Sequence, residues 1–180
     1  MDPDRERRLR RRSVPVVLLF LVVASLVSCT ACEEAPHSTD AELIARFRAH
    51  RAEFERLRDL LLDEPAVYLI GPGEVRAWEG DPPAEALAPQ PRHPLGEYRA
   101  LLRKLGVSRA TRDITATPPR IWFDVSSQGY VAHGSSKSYL YATELENWPL
   151  LPSLDEMTAA RKGEGIRRIE GDWYLHFYGD

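Results

Sequence analysis

IWFDVSSQGYVAHGSSKSYLYA, residues 121–142, is the stretch on which the fold class turns. Apolar and polar side chains alternate from Ile121 to Val125, from Tyr130 to His133 and from Ser138 to Ala142, a period of two that belongs to strands. The same pattern returns at Ile166 to Ile169 and at Trp173 to Tyr178. Five strand candidates therefore follow Pro118-Pro119, separated by turn residues. Ser153-Leu154-Asp155-Glu156 reads as a capping box, which places a short helix at about 154–161 among them.

Before those prolines the period is helical. Thr39-Asp40-Ala41-Glu42 is a capping box, and Leu43, Phe47, His50, Phe54, Leu57 and Leu61 recur at alternating steps of four and three. The spacing predicts one amphipathic helix of about six turns, running to about Leu62 and closed by Pro65. Its other face, with Arg46, Arg48, Arg51, Glu53, Glu55, Arg56 and Arg58, reads as solvated charge. Val67 to Ile70, a Gly71-Pro72-Gly73 turn and Val75 to Trp78 suggest a hairpin. Pro82, Pro83, Pro89, Pro91 and Pro94 then exclude helix or strand interior and make 81–94 a loop. Tyr98, Leu101, Leu102 and Leu105 mark a second helix ended by Gly106. The expected fold class is α+β: a long N-terminal amphipathic helix packed on a C-terminal antiparallel β-meander, as a single domain over 39–180.

The first 38 residues follow other rules. Six arginines within 5–12 precede an almost unbroken apolar run from Val14 to Val27. Such a run spans roughly 21 Å as helix, short of the ~30 Å hydrocarbon core, so a cleaved secretory signal fits better than a lasting span. The run stops at Leu26-Val27-Ser28-Cys29, which resembles the lipobox of bacterial lipoproteins. That resemblance implies a signal peptide over 1–28, diacylglycerol on Cys29, acylation (a palmitate-type chain) of the new amino group, and a lipidated tether over 29–38. Two or three acyl chains anchor a protein durably where one does not. Thr30, rather than Asp, after the cysteine implies the outer membrane over the inner, with the domain facing the periplasm. The mature region resembles bacterial lipoproteins that end in a Trp- and Tyr-rich strand, which implies no activity.

Charge and cysteines narrow the function. The net charge is −3, and residues 1–28 hold six arginines against three acids, so the remainder is more acidic still. A nucleic-acid partner is therefore not expected, since phosphate binding needs a basic face. Cys29 and Cys32 also form C-x-x-C, but a redox dithiol belongs between a strand and a helix of a folded domain. No histidine pair has metal-ligand spacing, and no glycine-rich phosphate loop occurs, so neither a metal nor a cofactor is expected.

Two clusters could carry chemistry. With a turn at Gln128-Gly129, Asp124 lies opposite His133 and Ser135 opposite Trp122; the face of Trp122, Asp124 and His133 would then hold any acid–base site, with Ser135 as nucleophile. The second cluster is aromatic. Ten of the mature chain's fifteen aromatics follow residue 120, and alternation divides them between two faces. Either helices cover one face and loops the other, or one face is an exposed platform. The platform reading rests on Tyr139 and Tyr141, with Lys137, His133 and Asp124 to orient a ligand. The function expected is a non-catalytic, membrane-anchored envelope lipoprotein that binds a partner protein or cell-wall glycan. The rival is an envelope hydrolase using Asp124, His133 and Ser135.

Overall fold

The computed structural model describes residues 36–64, 67–77, 91–130, 133–145 and 148–180. Cys29, the lipobox, most of the tether and most of the proline-rich loop lie outside them. The compact unit is Pro36–Asp180. It is mixed helix and sheet.

Where one long helix is expected there are two, α1 (Asp40–Ala49) and α2 (Arg51–Leu62), parted at His50. The capping box forms as its sequence requires: Thr39 accepts from Glu42 N–H and Glu42 accepts from Thr39 N–H. His50 has φ −125°, outside the helical region, and its N–H reaches the carbonyls of Arg46 and Phe47. The break keeps both phenylalanines on the same neighbours. Phe47 and Phe54 stand 5.2 Å apart, and each packs on Tyr139 and Trp173. The periodic residues other than His50 are all buried.

Strands β1 (Val67–Ile70) and β2 (Val75–Ala77) form the expected hairpin, and α3 (Leu95–Leu105) ends at Gly106 with φ 65°, the left-handed cap that glycine adopts freely. β3 (Arg109–Asp113) is a strand that sequence periodicity does not announce. β4 (Arg120–Tyr130) and β5 (His133–Tyr141) are longer than expected, α4 is Asp155–Ala160, and β6 (Gly163–Glu170) and β7 (Trp173–Gly179) close the chain. All seven strands join one antiparallel sheet in the order β2-β1-β3-β4-β5-β7-β6. It is not a simple meander, because β7 folds back between β5 and β6.

Two apolar clusters sit on opposite faces of this sheet. The larger packs Ile121, Phe123, Tyr139, Trp173, Leu175 and Phe177 beneath α1, α2 and α3. The smaller gathers Leu140, Ala142, Ile166 and Tyr174, with Trp122 and Trp148 packed against it. Residues 149–151 lie along the β6 edge, where Leu150 bridges Ile166 in parallel. Bonding that edge blunts an otherwise exposed template for strand addition.

Candidate functional site

The β4–β5 register differs from expectation, and most of the predicted site moves with it. β4 continues through Gln128-Gly129 to Tyr130, which pairs with His133, while Asp124 pairs with Ser138 and Trp122 with Leu140. Gln128-Gly129 is thus strand, not turn, and a bulge between Asp124 and Ser126 shifts every later residue by one face. Asp124 and His133 are not cross-strand partners. Asp124 instead accepts a 2.5 Å hydrogen bond from Arg109 Nε. The bulge puts Ser126 on the helix side of the sheet, where Ser135 lies by its alternation with Lys137 and Tyr139 along β5, and both are away from Asp124.

Ser135 does meet an imidazole, but that of His37. Nε2 lies 2.8 Å from Ser135 Oγ and Nδ1 lies 2.5 Å from Ser126 Oγ, with Phe177 edge-on at 5.8 Å. His37 and Ser135 are buried. A residue assigned by sequence to the tether therefore pins the start of the domain to two strands.

Lys137 lies one step further along the same face, and its side chain is 0% exposed. Its Nζ is 2.8 Å from Asp40 Oδ1 and 3.3 Å from Asp155 Oδ1, and it donates to the Ser38 carbonyl at 2.9 Å. Asp40 is equally buried. Its Oδ2 accepts from Leu154 N–H at 2.7 Å, Arg167 Nη1 at 2.9 Å and Ser153 Oγ at 3.3 Å. Burial alone would push this carboxyl up, but the Leu154 amide, Lys137 and Arg167 outweigh burial and hold it below the usual carboxylate value. The expected capping box at Ser153 does not form: Leu154 is the N-cap of α4 with no side-chain cap, Ser153 Oγ accepts from Asp155 N–H at 3.2 Å, and the Leu154 amide is taken by Asp40 from the far end of the domain. Lys137 is an internal ion-pair partner rather than a ligand-orienting group.

Tyr139 and Tyr141 are not a platform. Tyr139 is 0% exposed, faces α1, and donates its hydroxyl proton to the Leu43 carbonyl at 2.9 Å. Tyr141 packs on Trp173 at 5.3 Å beneath the Arg58 guanidinium. The expectation assumed that Leu140 and Ala142 face the main core; they face the smaller cluster, and the helices cover the tyrosines.

The aromatic surface lies on the opposite face of the sheet. Trp122, Leu140 and Tyr174 form one row across β4, β5 and β7, and Asp124, Ser138, His176 and Ile166 form the next. Tyr178 follows beyond His176 and is 45% exposed. Trp148 lies over this face, its ring 6.2 Å from Trp122 and 5.5 Å from His176. Arg120 stands 5.4 Å from the Trp148 ring and 5.9 Å from that of Trp122, and its Nη2 pairs with Asp113 at 2.9 Å. An open cleft of about 350 Å³, lined by Thr115, Ala116, Thr117, Pro118, Arg120, Glu144 and Leu145, adjoins it.

His176 is the buried imidazole of this face, in the same row as Asp124. Its Nε2 meets Glu164 at 3.1 Å, and its buried Nδ1 has no hydrogen-bond partner among the described residues. Burial pushes the imidazole down from its usual value, and Glu164 and Asp124 only partly oppose this. His176 was legible, since it shares the parity of Tyr174 and Tyr178. Trp148, beside Pro149 and outside any periodic segment, carried no such signal. Among the described residues no group of three His, Cys, Asp or Glu side chains could hold a metal ion.

No family model matches the chain, and no curated protein or solved structure is significantly similar to it.

Proposed function

We propose that this chain is a lipid-anchored lipoprotein of the bacterial envelope, and that its domain is a non-catalytic module binding a cell-wall glycan through the face of Trp122, Trp148 and Tyr178. The anchor rests on Leu26-Val27-Ser28-Cys29 after a basic head and a short apolar run. From Cys29, seven residues lead to the point where His37 is pinned, about 25 Å at most when extended. The lipid holds the domain close to its membrane, outer by the rule on Thr30, facing the periplasm. The broken helical layer α1–α2 serves as the single amphipathic wall that the periodicity describes.

One observation carries the binding reading: two tryptophans and a guanidinium stacked together beside a cleft lined by hydroxyls and charge. Sugar rings offer C–H faces for aromatic stacking and hydroxyls for Thr115, Thr117 and Glu144, and a 350 Å³ cleft accommodates a ligand of that size. A protein partner would ask for a larger and more continuous apolar patch than Tyr178, Leu150 and Leu145, the exposed large apolar side chains among the described residues, supply. The test is sedimentation of the purified protein with peptidoglycan sacculi. Trp148→Ala and Tyr178→Ala should each weaken co-sedimentation while leaving the circular dichroism spectrum intact. Wild-type protein that stays in the supernatant at all concentrations would remove the glycan reading.

A further inference from the structure

The pair of Lys137 and Asp40 stands outside that binding face and outside any ordinary requirement of the core. Two opposite charges, both wholly buried, are 2.8 Å apart at the joint between the first residue of α1 and the interior strand β5. Keeping two ions out of water is costly even when they are paired. Condensation to an amide would replace both charges with one neutral group, and every polar atom of that product already has its partner in place. The remaining N–H of Lys137 would keep the Ser38 carbonyl, 2.9 Å away. Asp40 Oδ2, as the amide oxygen, would keep the Leu154 N–H and Arg167.

We propose that Lys137 and Asp40 form an intramolecular amide bond. One proton passes from the ammonium to Asp40 Oδ1, the carboxylate oxygen 2.8 Å from Nζ, against the bias that Leu154 and Arg167 place on the carboxylate, leaving a neutral amine and a carboxylic acid. The nitrogen lone pair attacks Cγ, and the negative charge gathers on Oδ2, where the Leu154 amide and Arg167 stabilise it as an oxyanion hole does. Asp155 Oδ1, 3.3 Å from Nζ and held by the Asp40 N–H at 2.9 Å, takes the second proton from nitrogen and hands it to the Oδ1 hydroxyl. The Cγ–Oδ1 bond breaks, water leaves, and Oδ2 returns to a carbonyl. Ammonium and carboxylate become amide and water, with no oxidant, metal or cofactor. The bond would tie the first residue of α1 covalently to β5, reinforcing the His37 contacts that pin the chain just before it. The chemistry is independent of the lipid and of the binding face.

Tryptic digestion and mass spectrometry of the full chain, purified from membranes, test this directly. The expected result is a linked species joining the peptides of Asp40 and Lys137, lighter than their sum by one water, with no cleavage after Lys137. Asp40→Ala should abolish it, and Asp155→Asn, a conservative change, should lower the linked fraction at least tenfold in protein that still folds. Wild-type protein that is cleaved after Lys137 and yields only the free peptides would overturn the bond. A linked fraction unchanged by Asp155→Asn would overturn the proton route.

Discussion

The two faces of this sheet are covered by different means. On one, α1, α2 and α3 lay apolar side chains over Phe123, Tyr139, Trp173 and Phe177, and the polar end of that layer is locked by Lys137, Asp40 and His37. On the other, a loop contributes Trp148, the cluster is small, and Tyr178 and Leu150 remain exposed at 45% and 59%. Side-chain alternation says which residues share a face. It does not say which face receives the helices, and in this fold that decides which aromatics are core and which are surface.

Substitutions on the helix side should separate the faces most sharply. Asp40→Ala strands the Lys137 ammonium in the interior, and relative to the unlinked pair, removing one partner of two buried charges costs about 3–5 kcal/mol. Phe54→Ala, at a ring wholly buried among Phe47, Phe123, Tyr139 and Trp173, should also cost about 3–5 kcal/mol. Urea titration measures both, and a loss below about 1 kcal/mol in either would mean that this face is not the main core.

The loop-covered face should respond in binding more than in stability. Trp148→Ala should reduce glycan affinity by about 1–3 kcal/mol while lowering stability by less than that of the helix-side variants. Equal losses of fold and binding would make Trp148 a core residue and blur the contrast.

Acid should distinguish the faces too, with a smaller effect. His176 has its folded-state pKa depressed, so the unfolded chain takes up a proton at higher pH than the folded one. Stability therefore falls as pH drops below about 6.5, by at most about 1.4 kcal/mol per pH unit. In unlinked protein Asp40, also depressed, contributes stability that is present above about pH 4 and is lost only below that; once joined to Lys137 it no longer titrates. Denaturation curves at pH 7.5 and 5.5 should differ in the wild type and converge in His176→Gln. A slope that survives that substitution would assign the acid sensitivity elsewhere.

How much of this was legible depends on what each residue's signal was. The stripe from Leu43 to Leu61 and the Thr39-Glu42 capping box were plain, because burial and capping act within a few residues. The break at His50 was not, since no glycine or proline marks it; Phe47 and Phe54 share the stripe of an unbroken helix as well, so nothing in the periodicity shows where it parts. β3 was hidden because Arg109, Thr111, Arg112 and Asp113 are polar and only Ala110 is fully buried. Its pairing with β1 and β4 makes it a strand. The hairpin register departed from expectation at two points: β4 runs on through Gln128-Gly129, where a turn was expected, and its bulge puts Ser126 on the face of Ser135 and Lys137 while Asp124 stays on the other. His37 was unreadable for a similar reason: its partners, Ser126 and Ser135, are about ninety residues away in the chain.

The claim that function lives on the loop-covered face is tested most directly by measuring sacculus binding of Trp148→Ala beside Tyr139→Phe. The second variant loses only the hydroxyl that bonds Leu43 under α1. Trp148→Ala should lose at least fivefold in affinity, corresponding to about 1 kcal/mol, and Tyr139→Phe should bind as the wild type does. Binding lost on the Tyr139 side and kept on the Trp148 side, in folded protein, would contradict that claim.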